Sequence, residues 1–205
     1  MKSLRILLVL MLGFVPSASC GPSPGVELFP TAVAVKAYMF EGEEPGRGVF
    51  QDFATLDPSA VPAQGVSLSP AQVARVKRAF AVPTGEQGAA ACFNPRHGFV
   101  FYDAKGQVVG TLDVCFECTN TSVNAPGYNA RIQPVYDRFK QPEDGWDEKL
   151  HKRQTVEVNR VRAEYGMPPV DPPVDWKGLE ALVRELGMPP QPVASDFARV
   201  RGAAN

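Results

Sequence analysis

One stretch of this chain, residues 92–118 (CFNPRHGFVFYDAKGQVVGTLDVCFEC), constrains the fold more than any other. Two runs of β-branched and aromatic residues, 99–102 and 108–116, flank Asp103-Ala104-Lys105-Gly106. Asp in the first turn position and Gly in the fourth suit a type I turn with a glycine bulge, because the bulge residue needs a positive φ. The stretch is therefore expected to form a β-hairpin with Asp103 opposite Gln107. Counting outward from that pair puts His97 opposite Asp113 and Cys92 opposite Cys118. Cys115 and Glu117 follow Asp113 along its face, since side chains alternate with a period of two.

The N-terminus carries the address. Lys2 and Arg5 precede an apolar run, residues 6–15, that is too short to span a bilayer. Ser17-Ala18-Ser19 then places small residues before Cys20. This pattern resembles a bacterial lipoprotein signal, although Ser17 stands where such signals usually carry leucine. Residues 1–19 are read as the signal peptide and Cys20 as a lipidated, palmitate-bearing N-terminus. Ordinary cleavage near Ser19, which would leave Cys20 a plain thiol, is the alternative. Gly21 lacks the aspartate that holds lipoproteins on an inner membrane, which points to the outer membrane, with a periplasmic or secreted protein as the alternative. The expected partners are thus a membrane, reached through the lipid, and a protein or small molecule that the sequence does not identify. A formal net charge of -1 provides no basic field for nucleic acid.

At 205 residues the chain can bury one ordinary core. Residues 20–30 have the composition of a tether, 31–190 read as a single domain with a helical C-terminal part at 143–190, and 191–205 read as a fraying tail. Residues 31–40 (TAVAVKAYMF) suit a strand and 48–53 a short second one, while 56–66 reads as an extended Pro/Ala connection. Ser69, Pro70 and Gln72 form a capping box with proline in the first helical turn, and Val73, Val76, Lys77 and Phe80 share a face of the helix that follows. Residues 119–142 are polar and interrupted by Pro and Gly, which places them on the surface. A helix is expected over 146–165, with Trp146, Leu150, Val158, Val161 and Tyr165 on one stripe. Another begins at the cap Asp175, with Trp176, Leu179, Leu182, Val183 and Leu186 apolar. Both end in Gly-Met-Pro-Pro, a glycine stop followed by proline. The fold class is α+β: a small antiparallel sheet centred on the 92–118 hairpin and packed by two to four helices.

Three chemistries suit the hairpin's cysteines. Export to an oxidising compartment favours a structural disulfide, Cys92–Cys118 or Cys92–Cys115. Cys92, His97, Cys115 and Cys118 also make up a Cys₃His set of the kind that holds zinc, provided the chain turns at Phe116–Glu117. Cys115-Phe116-Glu117-Cys118 has the spacing of a redox pair, but it ends a strand rather than starting a helix, and Glu117 opposes thiolate formation. His97 is a candidate base for Cys115 without a recognisable oxyanion loop. No phosphate-binding loop, H-E-x-x-H or G-x-S-x-G occurs.

The helix from Pro70, the run C-F-N-P-R-H-G-F-V-F-Y-D-A-K-G and the closing C-F-E-C together resemble a family of uncharacterised bacterial exported proteins and lipoproteins. The resemblance spans residues 68–118, with the 176–186 helix as a possible addition, and treats 119–173 as an enlargement peculiar to this chain. It implies export and an α+β fold and carries no activity. The reading that results is a non-enzymatic, exported cell-envelope lipoprotein that binds a partner or plays a structural part. The alternative is a metal-binding or thiol-redox envelope protein.

Overall fold

A computed structural model describes residues 27–42, 48–50, 52–81, 93–143 and 145–203. Residues 1–19, expected to be a signal peptide, and Cys20 and Cys92 lie outside the described residues. The fold is α+β: an open, five-stranded antiparallel sheet with five helices. The strands are β1 (Ala34–Met39), β2 (Val61–Ser67), β3 (His97–Tyr102), β4 (Val108–Cys115) and β5 (Asn120–Asn124), in the spatial order β2-β1-β3-β4-β5. The helices are α1 (Pro70–Lys77), α2 (Tyr128–Arg138), α3 (Glu148–Glu164), α4 (Trp176–Glu185) and α5 (Ala194–Ala203). The hairpin β3–β4 is central, and β1 and β5 flank it.

Each sheet face has its own apolar layer. Val35, Ala37, Met39, Phe99, Phe101, Leu112, Val114 and Val123 point to the helices, where they meet Val76, Ile132, Val161, Leu179, Leu182 and Phe197. Tyr38, Val100 and the connecting residues Phe40, Val49 and Ala60 form a smaller layer on the other face. Burying one such aliphatic or aromatic side chain contributes about 1.5–3 kcal/mol, so the helix-side layer dominates stability.

The local signals explain most of the elements. Ser69 Oγ accepts from Gln72 N–H, Gln72 Oε1 accepts from Ser69 N–H, and Pro70 opens α1. Asp175 caps α4 through Gly178 N–H at 2.9 Å. The two Gly-Met-Pro-Pro stops are the same device. Gly166 and Gly187 take φ of 65° and 77°. Met167 and Met188 N–H then reach back to Arg162 O and Val183 O, and both methionines are buried. This satisfies the last helical carbonyls and plugs the core with the residue after the stop.

Several expectations change. The body starts before residue 31, because Leu28 and Phe29 are already core. Lys77 goes further into the core than a stem lying on a shared helix face requires. It is buried, and its Nζ reaches Pro30 O and Ala32 O and pairs with Glu27 at 2.9 Å. The expected strand over 48–53 amounts to one bridge, Phe50 to Leu56, and the expected Pro/Ala connection contains β2 instead. Residues 119–142 hold β5 and α2 rather than a surface loop. Tyr128, Ile132 and Val135 recur at helical spacing, and Pro134 inside the segment masks that period. Trp146 precedes α3 and is 67% exposed, so it is not part of the core stripe. Residues 194–203 do not fray: they form α5, which seats Phe197 in the core and packs beside β2.

The hairpin register is the most consequential change. The turn is as expected, with Asp103 N–H donating to Gln107 O at 2.9 Å and Gly106 at φ 76°. Tyr102 pairs with Val108, but Phe101 pairs with Gly110, so Val109 is an extra residue. This β-bulge shifts every later pair by one. His97 lies opposite Val114, and Asp113 lies opposite Gly98. The shift sets Gly110 beside Phe101, where the ring of Phe29 fills the space a side chain would take, 4.9 Å from the Phe101 ring.

Candidate functional site

The register decides what the hairpin's reactive residues can do. Because of the bulge, His97 turns to the helix face with Val114, while Asp113 and Cys115 turn to the other. His97 therefore does not face Asp113, and it is not placed to act as a base for Cys115. His97 is buried and its Nε2–H donates to Pro189 O at 3.0 Å, since a carbonyl only accepts. Nδ1 has no hydrogen-bond partner among the described residues, and the ring packs edge-on to Phe116 at 5.2 Å. Burial lowers its pKa to about 4, which keeps the ring neutral. It pins the segment after α4 to the sheet.

Cys115 is a buried free thiol and Cys118 is disulfide-bonded. The cysteine bonded to Cys118 lies outside the described residues. Of the two disulfide pairings expected, Cys92–Cys115 does not form. The Cys₃His zinc set does not fit either, because Cys118 sulfur is bonded to another sulfur and His97 and Cys115 point to opposite faces. Among the described residues no three His, Cys, Asp or Glu side chains converge.

Asp113 is an interior carboxyl rather than a site group. It is 5% exposed, its Oδ1 accepts from Val49 N–H at 2.9 Å, and Gly48 packs directly on Oδ2. Burial raises its pKa to about 7 against the opposing effect of that hydrogen bond. The carboxyl holds the 48–50 strap on the second face of the sheet.

The open surface near the hairpin is a groove along β5. One cavity of about 230 Å³ runs beside Thr119–Val123, with Arg162, Val170, Asp171, Val174 and Trp176 among its other walls. A second of about 400 Å³ continues past Thr119 and Trp176 to Phe116, Pro189 and Pro190, with the ion pair Glu180–Arg184 at its rim. Trp176 and Thr119 line both, so the two cavities form one trough. Its hydroxyl and amide groups lie on the edge strand, and its aromatic rings come from α4 (Trp176) and the β4–β5 turn (Phe116).

The backbone at this edge has a defined pattern. Arg96 N–H donates to Val114 O at 3.2 Å, so the peptide groups of Val114 face β3. Alternation turns those of Thr111, Asp113 and Cys115 toward β5, where their partners are Asn124, Ser122 and Asn120. The peptide groups of Thr121 and Val123 consequently point out of the sheet. Thr121 N–H donates to Asn120 Oδ1 at 2.8 Å and Ala125 N–H to Asn124 Oδ1 at 2.9 Å. Val123 N–H, between them, has no such cap among the described residues.

No residue of this groove's edge strand was among the candidate site residues. Its edge strand falls in the stretch read as surface loop, and its walls are up to 75 residues apart, from Phe116 to Gln191. The Asn-Thr-Ser-Val-Asn run was the available signal: β-branched residues between two asparagines that cover backbone donors. Comparison with protein-family models, curated proteins and solved structures found no match for this chain. No helix among the described residues is long and apolar enough to cross a membrane.

Proposed function

We propose that this chain is an exported cell-envelope lipoprotein, held on the outer membrane by a lipid on Cys20, and that its body is a non-enzymatic binding module whose site is the β5 groove. One observation carries the binding part. The hairpin's candidate reactive residues, His97, Asp113 and Cys115, are buried and divided between the two sheet faces, while the concavity along β5 is lined by hydroxyls, amides, Trp176, Phe116 and the charged side chains Arg162, Asp171, Glu180 and Arg184. A concavity that combines aromatic walls with polar groups suits recognition of a ligand. The lipid part rests on Lys2, Arg5, the 6–15 run and Cys20. The resemblance of 68–118 to exported bacterial proteins supports the same address.

Partitioning tests the anchor. The wild-type chain should fractionate with membranes and Cys20→Ala should be released into the soluble fraction; an unchanged distribution would refute lipidation. A second reading has one observation in its favour, a free thiol at Cys115 three residues before the bonded Cys118. If the protein exchanges thiols, Cys115→Ser should abolish formation of a mixed disulfide with a disulfide substrate, a step that releases one substrate thiol, with the fold intact, and equal rates would remove that reading.

A further inference from the structure

We propose that the groove binds an extended segment of a partner protein, which adds antiparallel to β5 as a sixth strand. The inference rests on the binding-module reading and names the ligand class. Three independent features carry it. First, the two sheet edges differ. β2 is guarded by Pro62, by Gly65 at φ 69° and by α5 packed beside it. β5 has no proline, glycine or charged residue, the usual devices against strand pairing. Second, the outward N–H of Thr121 is covered by the carboxamide of Asn120, which a strand's carbonyl oxygen can replace one for one, and the N–H of Ala125, just past the strand's end, is covered in the same way by Asn124. Exchanging one hydrogen bond for another leaves little net gain, so backbone pairing supplies register and the side-chain cavities supply selectivity.

Third, the cavities fall where an added strand would send its side chains. Val123 packs into the helix-side core, so the peptide residues paired with Thr121 and Val123 also point to the helix side, into the cavity of about 230 Å³. That volume suits two side chains of Ser, Thr or Val size. An antiparallel peptide runs from Asn124 toward Asn120, so its C-terminal part reaches the cavity of about 400 Å³ between Trp176, Phe116 and Pro190, which suits an aromatic ring. The recognised sequence is two small or β-branched residues spaced by one, followed two residues later by an aromatic residue.

The test uses the full chain and a library of acetylated, amidated hexapeptides with Ser, Thr or Val at the second and fourth positions and Phe, Tyr or Trp at the sixth, read by fluorescence anisotropy. Selected peptides should lose at least tenfold in affinity when the second or fourth residue is N-methylated, and less than twofold at the third or fifth. Val123→Pro, which deletes an outward N–H and also replaces one side chain of the helix-side core, should weaken binding to the same degree without changing the far-ultraviolet spectrum. Absence of binding from the whole library, or equal sensitivity to methylation at all positions, would overturn the proposal. So would a homodimer that Val123→Pro dissociates, because the edge would then belong to a second copy. If Val123→Pro does not fold, the methylation pattern alone decides. Peptide failure alongside Cys20-dependent partitioning leaves the lipoprotein standing, and a ligand that binds in the groove with no methylation pattern leaves the module standing.

Discussion

Asp113 makes the stability of this protein depend on pH in a direction that one substitution can reverse. The carboxyl ionises at about 7 in the fold, against an ordinary value of 3.8. Between those limits the folded chain holds a proton that the unfolded chain has released. Stability from the buried neutral acid is therefore complete below the unfolded value and is lost as pH rises through about 7. At 1.36 kcal/mol for each factor of ten, the loss is about 4 kcal/mol. Asp113→Asn keeps an oxygen to accept from Val49 N–H and has no charge to bury. It should match wild type near pH 4 and exceed it by about 4 kcal/mol near pH 8. His97 gives an internal control of opposite sign. Its pKa falls from 6.5 to about 4, so its contribution is present above 6.5 and is lost as pH falls through about 4. In wild type the two slopes oppose each other, and in Asp113→Asn the histidine's slope stands alone. Urea unfolding in pH steps, followed by fluorescence of the buried Trp176, reads both. A stability difference between variant and wild type that does not change with pH would refute the burial argument.

Three further outcomes follow from the packing. Phe197→Ala should cost about 3–5 kcal/mol, because α5 is seated by a fully buried ring, and a midpoint within error of wild type would mean that α5 is dispensable. Gly110→Ala puts a methyl into the Phe29 ring and should cost about 1–3 kcal/mol, whereas Gly106→Ala, with open space around it, should cost only the strain of its positive φ. Lys77→Met keeps the stem but removes the donor to Pro30 O and Ala32 O, so hydrogen exchange should accelerate over residues 28–33 before the rest of the fold; uniform exchange would count against a local latch.

How far the chain could be read depends on how local each cause is. The capping box at Ser69–Gln72, the cap at Asp175, the glycine stops and the Asp103–Gly106 turn each act within about four residues, and each forms where its residues predict. α2 was legible in Tyr128, Ile132 and Val135, but Pro134 outweighed them. α5 was not legible, because its apolar face is essentially Phe197 and its helix depends on that ring finding the core. Pairing is where local reasoning ran out. Counting outward from a correct turn still misassigned His97 and Asp113, because one extra residue at Val109 reverses which face every later side chain occupies.

By itself, then, the sequence determined the α+β class, the central hairpin and its turn, and the ends of the capped helices, all set by backbone chemistry between near neighbours. Only the tertiary structure decided that His97 is a buried clamp on Pro189, that Asp113 is an interior acid, and that β5 borders an open groove with Trp176 at its centre. Those outcomes depend on contacts between residues far apart in the chain, and a period-two strand offers two faces without saying which will be buried.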